Sequence, residues 1–269
     1  MDLTRLRRCR SLLFLPAANP RAIEKARTLA ADMVILDLED AVKEEDKAAA
    51  REAAIAATRE GFGERLVAVR VNAADSPHFG EDIVALRQAS PDFVVLAKAD
   101  DAKQVHDAVT LMTRPVLAMI ETARAVAAVD AIAAASAGLI AGTNDLCADL
   151  GVPALPGRPG LVYALQRIVL AARAAGILAF DGVYNRLEAD EELARECAQG
   201  RAYGFDGKSA IHPSQIEPIN AAFSPGPAEI EAAERLIAAA TGGAERHEGR
   251  MIEAMHVAEA KAVLARAGR

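Results

Sequence analysis

The chain has 269 residues, of which 52% are hydrophobic and 4% aromatic, with no tryptophan, enough aliphatic side chain for one large α/β core. A net charge of −7 argues against a nucleic-acid partner, and no stretch approaches the ~20 apolar residues of a membrane span. Three scattered cysteines, Cys9, Cys147 and Cys197, share no metal or redox spacing and point to a reducing, cytoplasmic setting.

At the N-terminus, Arg5, Arg7, Arg8 and Arg10 precede SLLFLPAA in the manner of a signal peptide. The apolar run is only Leu12 to Leu15 before Pro16 interrupts it, shorter than the roughly 7–15 residues a signal requires. It reads instead as a first strand. Eight such runs follow one another: SLLFLP (11–16), MVILDLE (33–39), RLVAVRVN (65–72), FVVLAKA (93–99), PVLAMIE (115–121), AGLIAGTND (137–145), ILAFDGVY (177–184) and FDGKSAIHP (205–213). Near-continuous Val/Ile/Leu runs suit strands buried on both faces. The segments between them carry helical periodicity, as with Ile23, Ala26 and Ala30, or Val126, Val129 and Ala133. Eight strand–helix units predict a (β/α)8 barrel over residues 1–223. No GxGxxG or P-loop supports a nucleotide fold. Two more helical patterns, Ile230–Ala233–Ile237–Ala240 and Val257–Ala260–Leu264–Ala267, predict a C-terminal helical extension over 224–269. The Gly-rich TGGAERHEGR (241–250) between them reads as a flexible link, so the last helix is expected over the barrel mouth or on a neighbouring subunit.

Catalytic groups of such barrels sit at the C-terminal ends of the strands. There this sequence places Asp37, Glu39 and Asp40, then Arg70 and Asn72, Lys98, Glu121, Asp145, Asp181, and Lys208 with His212. Glu121 and Asp145 end two runs separated by one crossover, hence lie on parallel strands, and two hard oxygen donors suggest Mg2+. Each also has a purely structural reading, Glu121 as an acid at a helix N-terminus and Asp145 as an N-cap. Arg70 either pairs with Asp37 or Glu39, or holds a substrate carboxylate with its planar fork. The acids of DLEDAV are costly together unless a cation compensates them; they suit water-holding around a metal, and one is a candidate general base. Arg21, Lys25 and Lys208 are candidate phosphate contacts. The five histidines form no HxH or HExxH pair, which disfavours zinc, and Cys147 reads as core packing.

SLLFLPAANPRAIEKA, MVILDLEDAV, VAVRVNA, LAMIETARAV, LIAGTNDLCADLG, AARAAGILAFDGVY and FDGKSAIHPSQI, in this order, resemble the citrate lyase beta-subunit-like branch of the HpcH/HpaI aldolase superfamily, from residue 11 to about 220. The resemblance implies a barrel of the phosphoenolpyruvate/pyruvate type, Mg2+, and carbon–carbon lyase chemistry beside a CoA thioester such as malyl-CoA, citramalyl-CoA or a citryl thioester. It implies Glu121 and Asp145 as the Mg2+ ligands and Arg70 on the carboxylate of a 2-oxo acid. Backbone N–H groups of Gly142, Thr143 and Asn144 would hold the acid's other oxygens. Asp37, Glu39 and Asp40 would serve the chemistry, and Phe14, Pro16, Asn19, Arg21 and Lys25 would follow the CoA arm, with Lys208 nearby. The family's trailing Met-Ile-Asp-x-Pro-His element, whose Asp can enter a neighbouring active site, reads MIEAMH here with Glu253 at the Asp position, and the fourth strand ends LAKA where relatives have Pro before the Lys. These departures keep open a malyl-CoA-type thioesterase, a lyase subunit needing an acyl carrier protein, and a non-catalytic CoA-ester-binding module. A homo-oligomer, commonly a trimer in such relatives, is expected.

Overall fold

The computed structural model of the chain describes residues 4–247 and 249–268. Eight parallel strands close on themselves in sequence order. They are β1 (Ser11–Pro16), β2 (Met33–Asp37), β3 (Leu66–Val71), β4 (Phe93–Leu96), β5 (Val116–Ile120), β6 (Gly138–Ala141), β7 (Leu178–Asp181) and β8 (Gly207–Ala210). β8 returns beside β1, with Ser11 opposite Lys208. This is a (β/α)8 barrel, and its strands are buried along nearly their whole length, as the unbroken aliphatic runs require. Among the described residues no helix is long and apolar enough to cross a membrane.

Side chains alternate along a strand, so every second residue shares a face. Leu12, Met33, Ile35, Leu66, Ala68, Phe93, Val95, Leu117, Met119, Ile140 and Phe180 form one buried cluster, closed by Leu6 and Cys9. Continuing those rows by two residues reaches Phe14, Asp37, Arg70 and Glu121. The apolar rows that fill the barrel therefore end in charged groups at its C-terminal mouth. The other parity puts Asp181 and Lys208 on the opposite side of β7 and β8, where Lys208 meets Glu196 of the helix Glu191–Tyr203.

The chain divides by its contacts into Met1–Asn220 and Ala221–Arg269. In the second unit the helices Pro227–Ala239 and Ala254–Arg266 pack on each other. The stretch expected as a flexible link instead forms an antiparallel hairpin, β9 (Glu245–His247) with β10 (Arg250–Ile252). Gly249, at φ +80°, supplies the left-handed residue that its tight turn needs.

Candidate active site

One cavity of about 370 Å³ opens at the mouth of the barrel, walled by Phe14, Pro16, Met119, Val183 and Ile211 and carrying Asp37, Asp40, Arg70, Glu121 and the segment Gly142–Asp145. Asp37 is its organiser on the β2 side. Its two oxygens take Arg70 Nε at 2.7 Å and Nη2 at 2.5 Å. They also accept the backbone N–H groups of Glu39 and Ala41, at 2.9 and 3.3 Å. Asp37 was expected among the catalytic acids, but with both oxygens committed it serves to orient Arg70 and the turn after β2. The ion-pair reading of Arg70 is therefore realised. Its Nη1 lies 3.0 Å from Glu39 Oε2 and 3.6 Å from the Met119 sulfur, and its plane stands 5.4 Å over the Phe14 ring. Behind the same turn, Lys47 Nζ donates to the carbonyls of Leu38 and Glu39 and to Asn72 Oδ1, at 2.7, 2.9 and 2.8 Å. That buried clamp fixes the backbone from which Glu39 and Asp40 project.

Glu121 follows β5 and is 2% exposed. Its Oε1 accepts the Lys98 backbone N–H at 2.7 Å. Burial, aided by the charges of Glu39 and Asp145 and only partly offset by Arg70, pushes its carboxyl up to about 7. Gly142 allows this placement, because a Cβ there would fall 2.4 Å from Glu121 Oε2. Asp145 is not a strand-end residue. β6 stops at Ala141, and Asp145 occupies the first turn of the helix Thr143–Leu150, where the macrodipole favours an acid. The Gly142 N–H is spent on the Ile120 carbonyl at 3.0 Å. Its expected role as a donor to substrate is thus corrected to one of clearance, leaving the helix-start N–H groups of Thr143 and Asn144 beside the cavity. The Asn144 side chain is paired with Asn185 at 2.7 and 3.0 Å.

Lys98 was visible at a strand end, yet its role was not. Its backbone takes φ +46°, uncommon for a residue with a side chain. That breaks the in-out alternation after Leu96, so parity could not place it. Its ammonium donates to Glu39 and lies 3.4 Å from Asp40 and 3.5 Å from Asp145. Burial alone would lower its pKa; the bond to Glu39 and the charges of Glu39, Asp40 and Glu121 raise it instead, so it is held as a cation. Burial likewise raises Glu39, against the pull of Arg70 and Lys98. Glu39 Oε2 is buried without a hydrogen bond, since Arg70 Nη1 is near it but off the N–H direction.

The remaining predicted residues lie elsewhere. Arg21 and Lys25 are exposed on the helix Pro20–Ala26, and Asn19 caps that helix by accepting the Ala22 N–H at 3.1 Å. Lys208 is fully buried, its ammonium bonded to Asp181 at 3.2 Å, to the Gly182 carbonyl at 2.7 Å and to Glu196 at 3.1 Å. It has no path to a phosphate, and the expectation that it contacts CoA is withdrawn. Glu253 belongs to the second unit, as the N-cap residue of the helix Ala254–Arg266, its N–H donating to His256 Nδ1 at 3.0 Å.

Among the described residues no three acid, histidine or cysteine side chains stand as a ready-made metal cage. A cation held by Glu121 and Asp145 would complete its shell with water and ligand oxygens, which is the habit of Mg2+. The donors are all hard oxygens. Among the described residues, five carboxylates, Asp37, Glu39, Asp40, Glu121 and Asp145, share the two cations Arg70 and Lys98, so a divalent ion fits the charge of this mouth.

Residues 10–213 match the family model for HpcH/HpaI aldolase/citrate lyase. The chain belongs to that family. Within it the chain is 42% identical to a (3S)-malyl-CoA thioesterase of Cereibacter sphaeroides, over 96% of this chain and 94% of that protein. It is 36% identical to the citrate lyase subunit beta of Leuconostoc mesenteroides, over 93% and 87%. Among solved structures, Mycobacterium tuberculosis CitE in complex with magnesium, acetoacetate and coenzyme A superposes with a TM-score of 0.85 at 36% identity, covering 98% of this chain and all of that one. The M. tuberculosis citrate lyase beta subunit complexed with oxaloacetate and magnesium gives 0.74 at 38% identity, covering 82% of this chain and 100% of that one. Solved relatives of the chain thus include one holding magnesium with oxaloacetate and one holding magnesium with acetoacetate and coenzyme A.

Proposed function

We propose that this protein is a Mg2+-dependent enzyme acting on a short hydroxy-dicarboxylyl-CoA thioester of the malyl-CoA type, and that it hydrolyses the thioester to the free acid and CoA. The observation that carries the substrate class is the Arg70 guanidinium, clamped by Asp37 in an apolar-walled cavity beside Glu121 and Asp145, where a substrate carboxylate and a cation can meet. The name of the 42% identical thioesterase favours hydrolysis over the carbon–carbon cleavage expected from the sequence motifs.

In this reading Glu121 and Asp145 would hold Mg2+, which would supply Lewis-acid chemistry at the mouth. Arg70 keeps its Nε–Nη2 edge on Asp37 and turns its remaining N–H groups to a substrate carboxylate, held in one orientation. The Thr143 and Asn144 N–H groups, at the positive end of their helix, receive further acid oxygens. Phe14, Pro16, Met119 and Ile211 exclude water from one side of the cavity. Asp40, whose side chain is 61% exposed and whose Oδ2 lies 3.4 Å from the Lys98 ammonium, takes the proton of the attacking water. Water adds to the thioester carbonyl, the carbon–sulfur bond breaks and CoA leaves as its thiol. Arg21 and Lys25, exposed on the helix after β1, meet the CoA phosphates in this reading. A second reading, lyase cleavage, draws support from the citrate lyase beta relatives and would use the same Arg70 and metal site. Malyl-CoA with Mg2+ separates the two. Free CoA and malate in equal amounts are expected; acetyl-CoA and glyoxylate would identify a lyase. No turnover with either malyl-CoA or citramalyl-CoA would refute the substrate class.

A further inference from the structure

Lys98 makes two kinds of contact at once. Its backbone N–H holds Glu121 at 2.7 Å. Its ammonium, carried round by a φ of +46°, reaches Glu39, Asp40 and Asp145. Glu121 and Asp145 are the two residues best suited to hold a divalent cation, so one lysine is tied to both by different atoms. A left-handed backbone at a residue with a Cβ persists only where the surroundings over-determine it. Here the surroundings are the two carboxylates themselves and the Glu39–Arg70 pair behind them.

We propose that Lys98 is a built-in counter-cation of the metal site: its ammonium neutralises Glu39, Asp40 and Asp145 while the divalent ion is away, and must give up Asp145 when the ion arrives. The inference rests on the Mg2+ reading above and deepens it. Without a cation among them, four neighbouring carboxylates would repel one another in a partly desolvated mouth. With the ammonium there, the acids stay pointed at one locus, and the site is organised before the metal comes. The same ammonium then opposes the incoming ion, because two cations within a few ångströms repel. Lys98 is therefore a positioning residue that sets metal affinity, exchanging a tighter site for an ordered one. Its side chain is 35% exposed, which gives the ammonium an open side toward which to withdraw.

The test is calorimetric titration of Mg2+ into the metal-free full-length protein, with thermal melts in EDTA and in saturating Mg2+. Lys98→Met keeps the length and backbone demand of the side chain and removes the charge. It should bind Mg2+ about tenfold more tightly than wild type, the scale of one nearby charge in a half-exposed site. It should also melt lower in EDTA, so that Mg2+ raises its Tm by more than it raises that of wild type. Lys98→Arg should restore near wild-type affinity. Lys98→Gly, which relieves the left-handed backbone and so protects folding, should shift affinity in the same direction as Lys98→Met. Equal or weaker Mg2+ binding by both uncharged variants, beside a wild type that binds, would overturn this inference and leave the metal reading intact. A wild type that neither takes up Mg2+ nor gains Tm from it would overturn both.

Discussion

Two ion clusters are built into this barrel from the same kinds of residue, and they are balanced in opposite ways. On the outer side of β7 and β8, Asp181 and Glu196 meet Lys208 and Arg158, with Arg158 also bonded to Gln199, and every charge has an opposite partner. At the mouth, five carboxylates share Arg70 and Lys98. The consequence is visible in the acids. Burial pushes Asp181 up, but Lys208 and Arg158 outweigh it and hold the carboxyl below its ordinary value. Burial pushes Glu121 up to about 7, and its neighbours Glu39 and Asp145 push the same way. A buried cluster with matched charges is a fastening. A cluster left short of positive charge at the ligand-binding end of a barrel is a place for a cation to bind.

The widest separation between the two should come from Glu121→Gln. It removes a charge and leaves the shape, so the variant should fold, melt near wild type in EDTA, lose its Mg2+ heat and lose about ten-thousandfold in kcat/KM, roughly 5.5 kcal/mol. Retained activity would move the metal away from Glu121. Lys208→Met should do the reverse. Removing one partner of a buried ion cluster costs about 3–5 kcal/mol, which for a domain of this size lowers Tm by roughly 10 °C. The affinity of the surviving folded protein for Mg2+ should stay near wild type. Weakened Mg2+ binding without loss of Tm would mean that the outer cluster is part of the site after all.

Gly142→Ala is milder. The backbone at Gly142, φ −100° and ψ 80°, lies on the side of φ open to alanine. The new Cβ would sit 2.4 Å from Glu121 Oε2, so Glu121 must move. A displacement of about 1 Å in such a group costs roughly a hundredfold in rate. The loss should appear in kcat together with a lowered Tm, because the new Cβ also overlaps Glu121 Cβ, which only a backbone shift relieves; an unaffected kcat would show that Glu121 has more freedom than its contacts suggest.

Strand positions were legible because parallel strands buried on both faces leave a continuous aliphatic signature, and the eight runs coincide with the eight strands. Within those strands, alternation carried the reading as far as Asp37, Arg70 and Glu121, which continue apolar rows. It failed where regularity failed. Lys98 leaves the strand through a left-handed residue, and Asp145 stands a helical turn beyond β6. The Lys208 error has a different cause. A charged residue in FDGKSAIHP looks like a strand-end contact, but Ser209 is the one beside the cavity and Lys208 faces the helix behind it. Only the partners Asp181 and Glu196, 27 and 12 residues away, make a buried lysine tolerable, and no local pattern announces them. The hairpin at 245–252 was hidden by its glycines and charges, which read equally well as a link.

The smallest effect is a pH dependence that belongs to the outer cluster alone. The folded-state pKa of Asp181 lies below the ~3.9 of an unfolded aspartate. Between those values the unfolded chain binds the proton and the folded one does not. The cluster's contribution is thus fully present above about pH 4 and is lost as pH falls through the folded pKa. In Lys208→Met one of the two cations that hold Asp181 down is gone, while burial still acts upward, so the folded pKa rises. Melts from pH 7 to 3 in EDTA should show the acid limb of the variant beginning at higher pH than that of wild type. Carboxylates that do not touch Lys208 add to both limbs equally, so the difference between the curves belongs to the Lys208 cluster. Superimposable limbs, after allowance for the constant offset in Tm, would mean that Arg158, at 2.6 Å from Asp181 Oδ1, holds the carboxylate unaided, and that Lys208 is there for Glu196 and the Gly182 carbonyl instead.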